Sequence, residues 1–136
     1  MFLLDTNIIS ELIKKRPSQS LLARLVAVPA TSLCTASICL MELRYGSLRV
    51  PNGEALWSKI EKLLLTKLQI MPFSYKEALK AGEVLAGLYS TGQPNGVEDV
   101  MIASIALSNG LTVVSANTKH FSRISGLCVE NWLCSD

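Results

Sequence analysis

The sequence contains a single histidine, His120, among 136 residues, and its formal net charge is only +2. One histidine cannot supply an acid and a base that both titrate near neutrality, so metal-free hydrolysis of the two-histidine kind is excluded. A charge of +2 is too small to announce a polyanionic partner. Basic groups at Lys14, Lys15 and Arg16 and at Lys119, His120 and Arg123 can still meet phosphates locally, although such clusters are usually just a solvated face.

Long apolar runs are missing as well. No stretch approaches the roughly 18–20 uninterrupted apolar residues that span a bilayer. Asp5 interrupts the N-terminal run after Met1 to Leu4, before a secretory core of about 7–15 residues can form. A cytoplasmic protein with no membrane partner is expected. The four cysteines, Cys34, Cys39, Cys128 and Cys134, show no CxxC spacing and no companion histidines, so buried reduced thiols are expected rather than zinc ligands or disulfides. The five prolines and eight glycines are dispersed, leaving no linker. With 49% hydrophobic and 18% charged residues, the chain is no disordered polymer, and its length suits one domain over residues 1–136.

What is present alternates between buried strands and helices. "MFLL" reads as a short strand ended by Asp5, and Ile8, Ile9, Leu12 and Ile13 in "TNIISELIKK" recur at helical spacing. Pro17 ends that helix and can start the next, "PSQSLLARLVAV". Thr31 to Thr35 suggests a second strand, with Ser37 placed to cap a helix through "ICLMELRYGSL". Pro51, Asn52 and Gly53 break the chain before a helix over "EALWSKIEKLLLT" and a strand in "LQIMPF". Ser74 and Glu77 form a capping box ahead of "ALKAGEVLAGLY". After a turn-rich loop from Thr91 to Gly96, Asn95 can cap "VEDVMIASIALSNG", which Asn109 and Gly110 end. "LTVVSA" is the clearest strand, and a final one is expected at Leu127 to Val129. The pattern is α/β: a central parallel sheet with helices on both faces, and ligands at the carboxyl ends of the strands where strand order reverses.

Three carboxylates sit in the wrong places for a plain core. Glu42 interrupts the apolar run "ICLMEL" on a helix; the bland explanation is an edge position facing water or pairing with Arg44 or Arg49. Asp99 shares a helix face with Ile102, Ala103 and Ala106, and an acid in a first turn is also a good dipole partner, as Glu98 is. Asp5 follows an apolar strand and can cap the helix after it. If the three converged they would repel, and a bound divalent cation removes that penalty. All-oxygen ligation selects magnesium or manganese over zinc. Asp5 and Asp99 are then the expected metal ligands. Glu42 completes the shell or takes the proton of an attacking water, and Asn7, Ser115 and Asn117 orient carboxylates and waters. Phosphodiester hydrolysis of this type leaves a 5′-phosphate and a 3′-hydroxyl.

The segments "LLDTNIISELI", "LMELRYG" and "EDVMIASIALSNGLTVVSANTKHFSRISGLCVENW", in that order over nearly the whole chain, resemble the PIN-domain toxins of the VapC type. The resemblance implies a PIN-like three-layer α/β/α fold around a parallel sheet of four or five strands. It also implies a magnesium- or manganese-dependent endoribonuclease that serves as a bacterial toxin by cleaving tRNA or other translation RNA. Carried over by motif, the family's acids fall on Asp5 in "LDTN", Glu42 in "MEL" and Asp99 in "EDVMIA". The fourth polar position falls on Asn117 in "VVSANTKHF", where many relatives carry Asp, which implies weaker binding of a second ion. Implied partners are a small antitoxin that occupies the toxin groove, a second toxin chain in a homodimer, and operator DNA bound by the larger complex.

Two other readings stay open on the residues. One is a catalytically silent PIN-like module that binds RNA or a protein, its acids serving as caps and surface charges. The other is a phosphoacceptor domain, but that needs a paired acid after the first strand and a lysine after a late one. Here "DTN" carries one acid, and Lys119 is expected in a loop.

Overall fold

A computed structural model describes residues 1–92 and 96–134, without the side chain of Leu65. The chain runs β1 (Phe2–Leu4), α1 (Thr6–Leu12), α2 (Gln19–Val26), a 3₁₀ turn (Ala30–Ser32), β2 (Leu33–Ala36), α3 (Ser37–Leu48) and α4 (Gly53–Lys67). It continues through β3 (Gln69–Met71), α5 (Tyr75–Ser90), α6 (Val97–Asn109), β4 (Thr112–Val114), α7 (Thr118–Ser122) and β5 (Val129–Glu130).

The five strands form one sheet in the order β3-β2-β1-β4-β5, and every pairing is parallel. This is the three-layer α/β/α arrangement expected. Leu3 lies opposite Cys34 and Val113, while Leu4 lies opposite Val114. Successive strand residues point to opposite faces, so Leu3, Cys34 and Val113 pack with α5 and α6 residues such as Ala81, Leu88, Val100 and Ile105. Leu4 and Val114 pack on the other side with Ile8, Leu21, Ile60, Leu64 and Trp132. Because both faces are covered, the central strand β1 is apolar at every position and shows no alternation. Strand order reverses between β1 and β4, and Asp5 and Ser115 are the residues that follow those two strands. Among the described residues, no helix is long and apolar enough to cross a membrane.

Several local expectations are corrected. Helix α1 stops at Leu12, short of Lys15. Pro17 does not open α2; Ser18 caps it, its Oγ accepting from Leu21 N at 3.2 Å. Ser37 is the first helical residue of α3 and the cap position is Ala36, because the last residue of β2 is buried in the sheet and the chain turns straight into the helix. The final strand is Val129–Glu130 rather than Leu127 to Val129. Lys119 lies in the short helix α7, not a loop. Asn95 as a cap for α6 lies outside the described residues. Of the cysteines, Cys34 and Cys39 are buried and reduced, whereas Cys128 and Cys134 are free but exposed. The latter two lie either side of the edge strand β5 in sequence.

The box at the start of α5 is present. Glu77 Oε1 accepts from Ser74 N at 3.1 Å and Ser74 Oγ at 2.5 Å, and its Oε2 accepts from Asn109 Nδ2 at 3.1 Å. The same carboxylate therefore fastens the end of α6 to the beginning of α5. Gly110 then ends α6 in the left-handed conformation, φ 65°, which only glycine adopts without strain.

Candidate active site

Asp5 is 4% exposed and occupies the N-cap of α1. Its Oδ1 accepts from Thr6 N at 2.8 Å and from the Cys39 thiol at 3.8 Å, and its Oδ2 accepts from Ser115 Oγ at 2.7 Å. The cap reading and the site reading are both satisfied by one side chain. Thr6 serves a second acid, since its hydroxyl donates to Glu42 Oε1 at 2.7 Å. The strand end, the start of α1 and the middle of α3 are thus joined through two adjacent residues.

One ligand atom each from Asp5, Cys39 and Glu42 lies within 4.8 Å of the others. Two full charges at that spacing repel by roughly 3–4 kcal/mol at the effective dielectric typical of proteins, a sizeable share of a domain's net stability. Burial pushes the Asp5 carboxyl up, and the charge of Asp99 adds to it against the opposing hydrogen bonds from Ser115 and Thr6. Burial also raises Glu42, with Asp5, Asp99 and Glu98 adding like charge.

Asp99 stands in the first turn of α6, close enough for its charge to act on both other acids. It does not join the tightest group; its Oδ2 meets His120 Nδ1 of α7 at 3.2 Å. Asn117 is exposed and its backbone N donates to Ser115 Oγ at 2.9 Å. Asn7 Oδ1 accepts from Ala116 N at 3.2 Å. Of the three orienting residues expected, only Ser115 touches a carboxylate; Asn7 holds the loop after β4 against α1, and Asn117 meets the site through its backbone.

The comparisons with known proteins agree with this fold. The PIN domain family model matches residues 2–127. The chain is 36% identical to ribonuclease VapC2 of Haemophilus influenzae over 132 residues, 97% of this chain and 98% of that protein. This chain belongs to the PIN-domain family, among its VapC ribonucleases. It is 34% identical to the tRNA(fMet)-specific endonuclease VapC of Shigella flexneri, over 96% of this chain and 97% of that one. Among solved structures it superposes on the VapBC2 complex of Rickettsia felis bound to a DNA fragment from its promoter, with a TM-score of 0.88 and 35% identity over 96% of this chain and 98% of that one.

In this PIN domain four further residues take part that the sequence alone did not single out for the site. Thr6 and Cys39 touch the acids directly, His120 pairs with Asp99, and Glu98 contributes charge where only a helix-terminal role was expected. The "DTN" order gave a signal for Thr6, because a residue one step past an N-cap faces the same corner. No spacing rule links His120 to Asp99; α6 and α7 meet only through the tertiary fold.

Proposed function

We propose that this ribonuclease is a metal-dependent endonuclease in which Asp5, Glu42 and Asp99 hold a magnesium or manganese ion against an RNA phosphodiester. The observation that carries the reading is a pair of desolvated carboxylates from the end of β1 and from α3, packed against each other under the charge of two more on α6. The donor set fits a hard cation. Burial and the charge of Asp5 push the Cys39 thiol up to about 12, so in the metal-free site it stands as a neutral donor to Asp5.

A cation bound there supplies an acidified water and neutralises charge on the attacked phosphate. Ser115 and Thr6 hold the carboxylate of Asp5, and the Thr6 hydroxyl donates to Glu42 Oε1 rather than to Oε2. A carboxylate raised by burial and like charge is suited to accept the water's proton at that atom. The products are a 5′-phosphate and a 3′-hydroxyl. By kinship with its relatives, the chain acts on tRNA or another translation RNA, pairs with a small antitoxin, and in that complex binds operator DNA as the bacterial toxin of the pair.

The test is cleavage of total RNA with magnesium or manganese and with chelator, followed by sequencing of 5′-phosphate ends, using wild type, Asp5→Asn and Asp99→Asn. Metal-dependent cuts at defined tRNA sites, lost in both variants, are expected. Equal cleavage by all three means contamination and leaves a binding module instead.

A further inference from the structure

Arg123 belongs to a basic cluster that the candidate active site leaves largely unused. It caps the end of α7 in helical conformation, φ -75° and ψ -12°. It therefore shares a side of that helix with His120, three residues earlier, with about 5–6 Å between their Cβ atoms. His120 meets Asp99 at 3.2 Å. Arg123 thus stands one helical turn beyond the residue that touches the acids. That spacing is on the order of one nucleotide, whose rise in a stacked strand is about 3.4 Å. Arg123 is exposed and, among the described residues, has no carboxylate partner.

The same arginine lines a cleft of about 440 Å³ between the second half of α5 and the turn after α7, within the roughly 300–1,000 Å³ of small-molecule sites. The floor is apolar. Leu88 and Ile124 are buried, and Val84 and Leu107 are half-buried against the same core. Lys80 and Glu83 stand on the rim, Nζ 3.8 Å from Oε1, and offset one another, so the charge of Arg123 is left over. Gly87 gives the wall no side chain, and nothing lies within 4 Å of a Cβ added there. Glycine weakens a helix, and an open cleft gives Gly87 its reason. An acidic peptide would satisfy Arg123 as well, but only a polynucleotide must pass this point on leaving a phosphodiester site.

We propose that the cleft between α5 and α7 is a subsite for the nucleotide next to the cut, its phosphate on Arg123 and its base over Leu88, Leu107 and Ile124. Glu83 is placed to accept from a ribose hydroxyl or an exocyclic amine. The inference rests on the nuclease reading and adds to it the course of the strand beyond the scissile phosphate.

The test is fluorescence anisotropy of a labelled, mixed-sequence RNA of about 12 nucleotides, in chelator so that nothing is cut. Wild type is compared with Arg123→Ala, Gly87→Leu and Lys62→Ala. Lys62 lies on α4, whose Ile60 and Leu64 pack on the other face of the sheet, and controls for the loss of one positive charge. Arg123→Ala should weaken binding roughly tenfold and lower the slope of log affinity against log salt by about one. Gly87→Leu fills the cleft without touching a charge, so it should weaken binding by a similar factor and leave the slope unchanged. Lys62→Ala should stay within about twofold of wild type. Circular dichroism melts and manganese titration should agree among the proteins, separating lost binding from lost folding or a lost metal site. Arg123→Ala, at an exposed position, decides alone if Gly87→Leu fails to fold. Equal behaviour of the arginine and lysine variants, or a folded Gly87→Leu chain that binds as wild type does, overturns the proposal and leaves Arg123 a solvated charge. A wild type that does not hold the RNA also overturns the subsite, whereas the nuclease reading falls only if cleavage by that same preparation is independent of metal and of Asp5.

Discussion

Glu77 and Asp5 are both buried carboxylates, 1% and 4% exposed, yet their surroundings drive them in opposite directions. Burial alone pulls Glu77 up, but the hydrogen bonds from Ser74 and Asn109 outweigh it and hold the carboxyl down at about 2. At Asp5, burial prevails over Ser115 and Thr6, and the charge of Asp99 works against ionisation. Glu77 is a charge fully supplied with donors and closes the α5–α6 corner. Asp5 and Glu42 are charges brought together, raised by burial and by the like charge of Asp99, an arrangement that costs stability and makes sense where a cation is to be bound. The contrast separates an acid whose partners satisfy it from one whose surroundings suit the metal-binding part proposed for it.

The largest expected effect breaks the comparison from the working side. Asp5→Asn should lower RNA cleavage by more than about a hundredfold, beyond the usual cost of removing a mere partner of a metal ligand. Asn caps a helix as well as Asp and relieves repulsion, so the urea midpoint of the metal-free variant should stay level or rise. Glu77→Ala should do the reverse. Leaving Ser74 N and Asn109 without their acceptor and removing the cap costs about 2–3 kcal/mol, read as a Tm lower by roughly 5–10 °C, with cleavage near wild type at a temperature where both are folded.

That the comparison was half legible in the sequence follows from what each acid depends on. The capping box of Ser74 and Glu77 is local, three residues apart, and was readable directly. Asp5 ending an apolar strand, and Glu42 on an apolar stripe, were readable as anomalies, and parallel-sheet topology told where they would converge. The pairing of Asn109 with Glu77, of Thr6 with Glu42 and of His120 with Asp99 spans separate elements and left no periodic trace. The cysteines failed for a related reason: an apolar neighbourhood in sequence does not say whether a side chain is buried, and Cys128 and Cys134 are exposed.

The smallest effect sharpens the comparison through pH. Glu77, held below its ordinary 4.5, contributes stability that is present above about pH 4.5 and lost as pH falls toward 2. Asp5 and Glu42, raised from 3.8 and 4.5, act with the opposite sign: their favourable protonated state is fully present below those values, and stability is lost as pH rises through the raised ones. Urea midpoints of the metal-free chain between about pH 2 and pH 7 should therefore show a dome. Glu77→Gln should flatten its acid side and Asp5→Asn its neutral side.

Calorimetric titration of manganese into the purified chain and into Asp5→Asn at neutral pH addresses the pocket most directly. A cavity of carboxylates that holds a cation predicts saturable binding in wild type and none in the variant. Indistinguishable heats from the two proteins, or no saturable uptake by either, would contradict it.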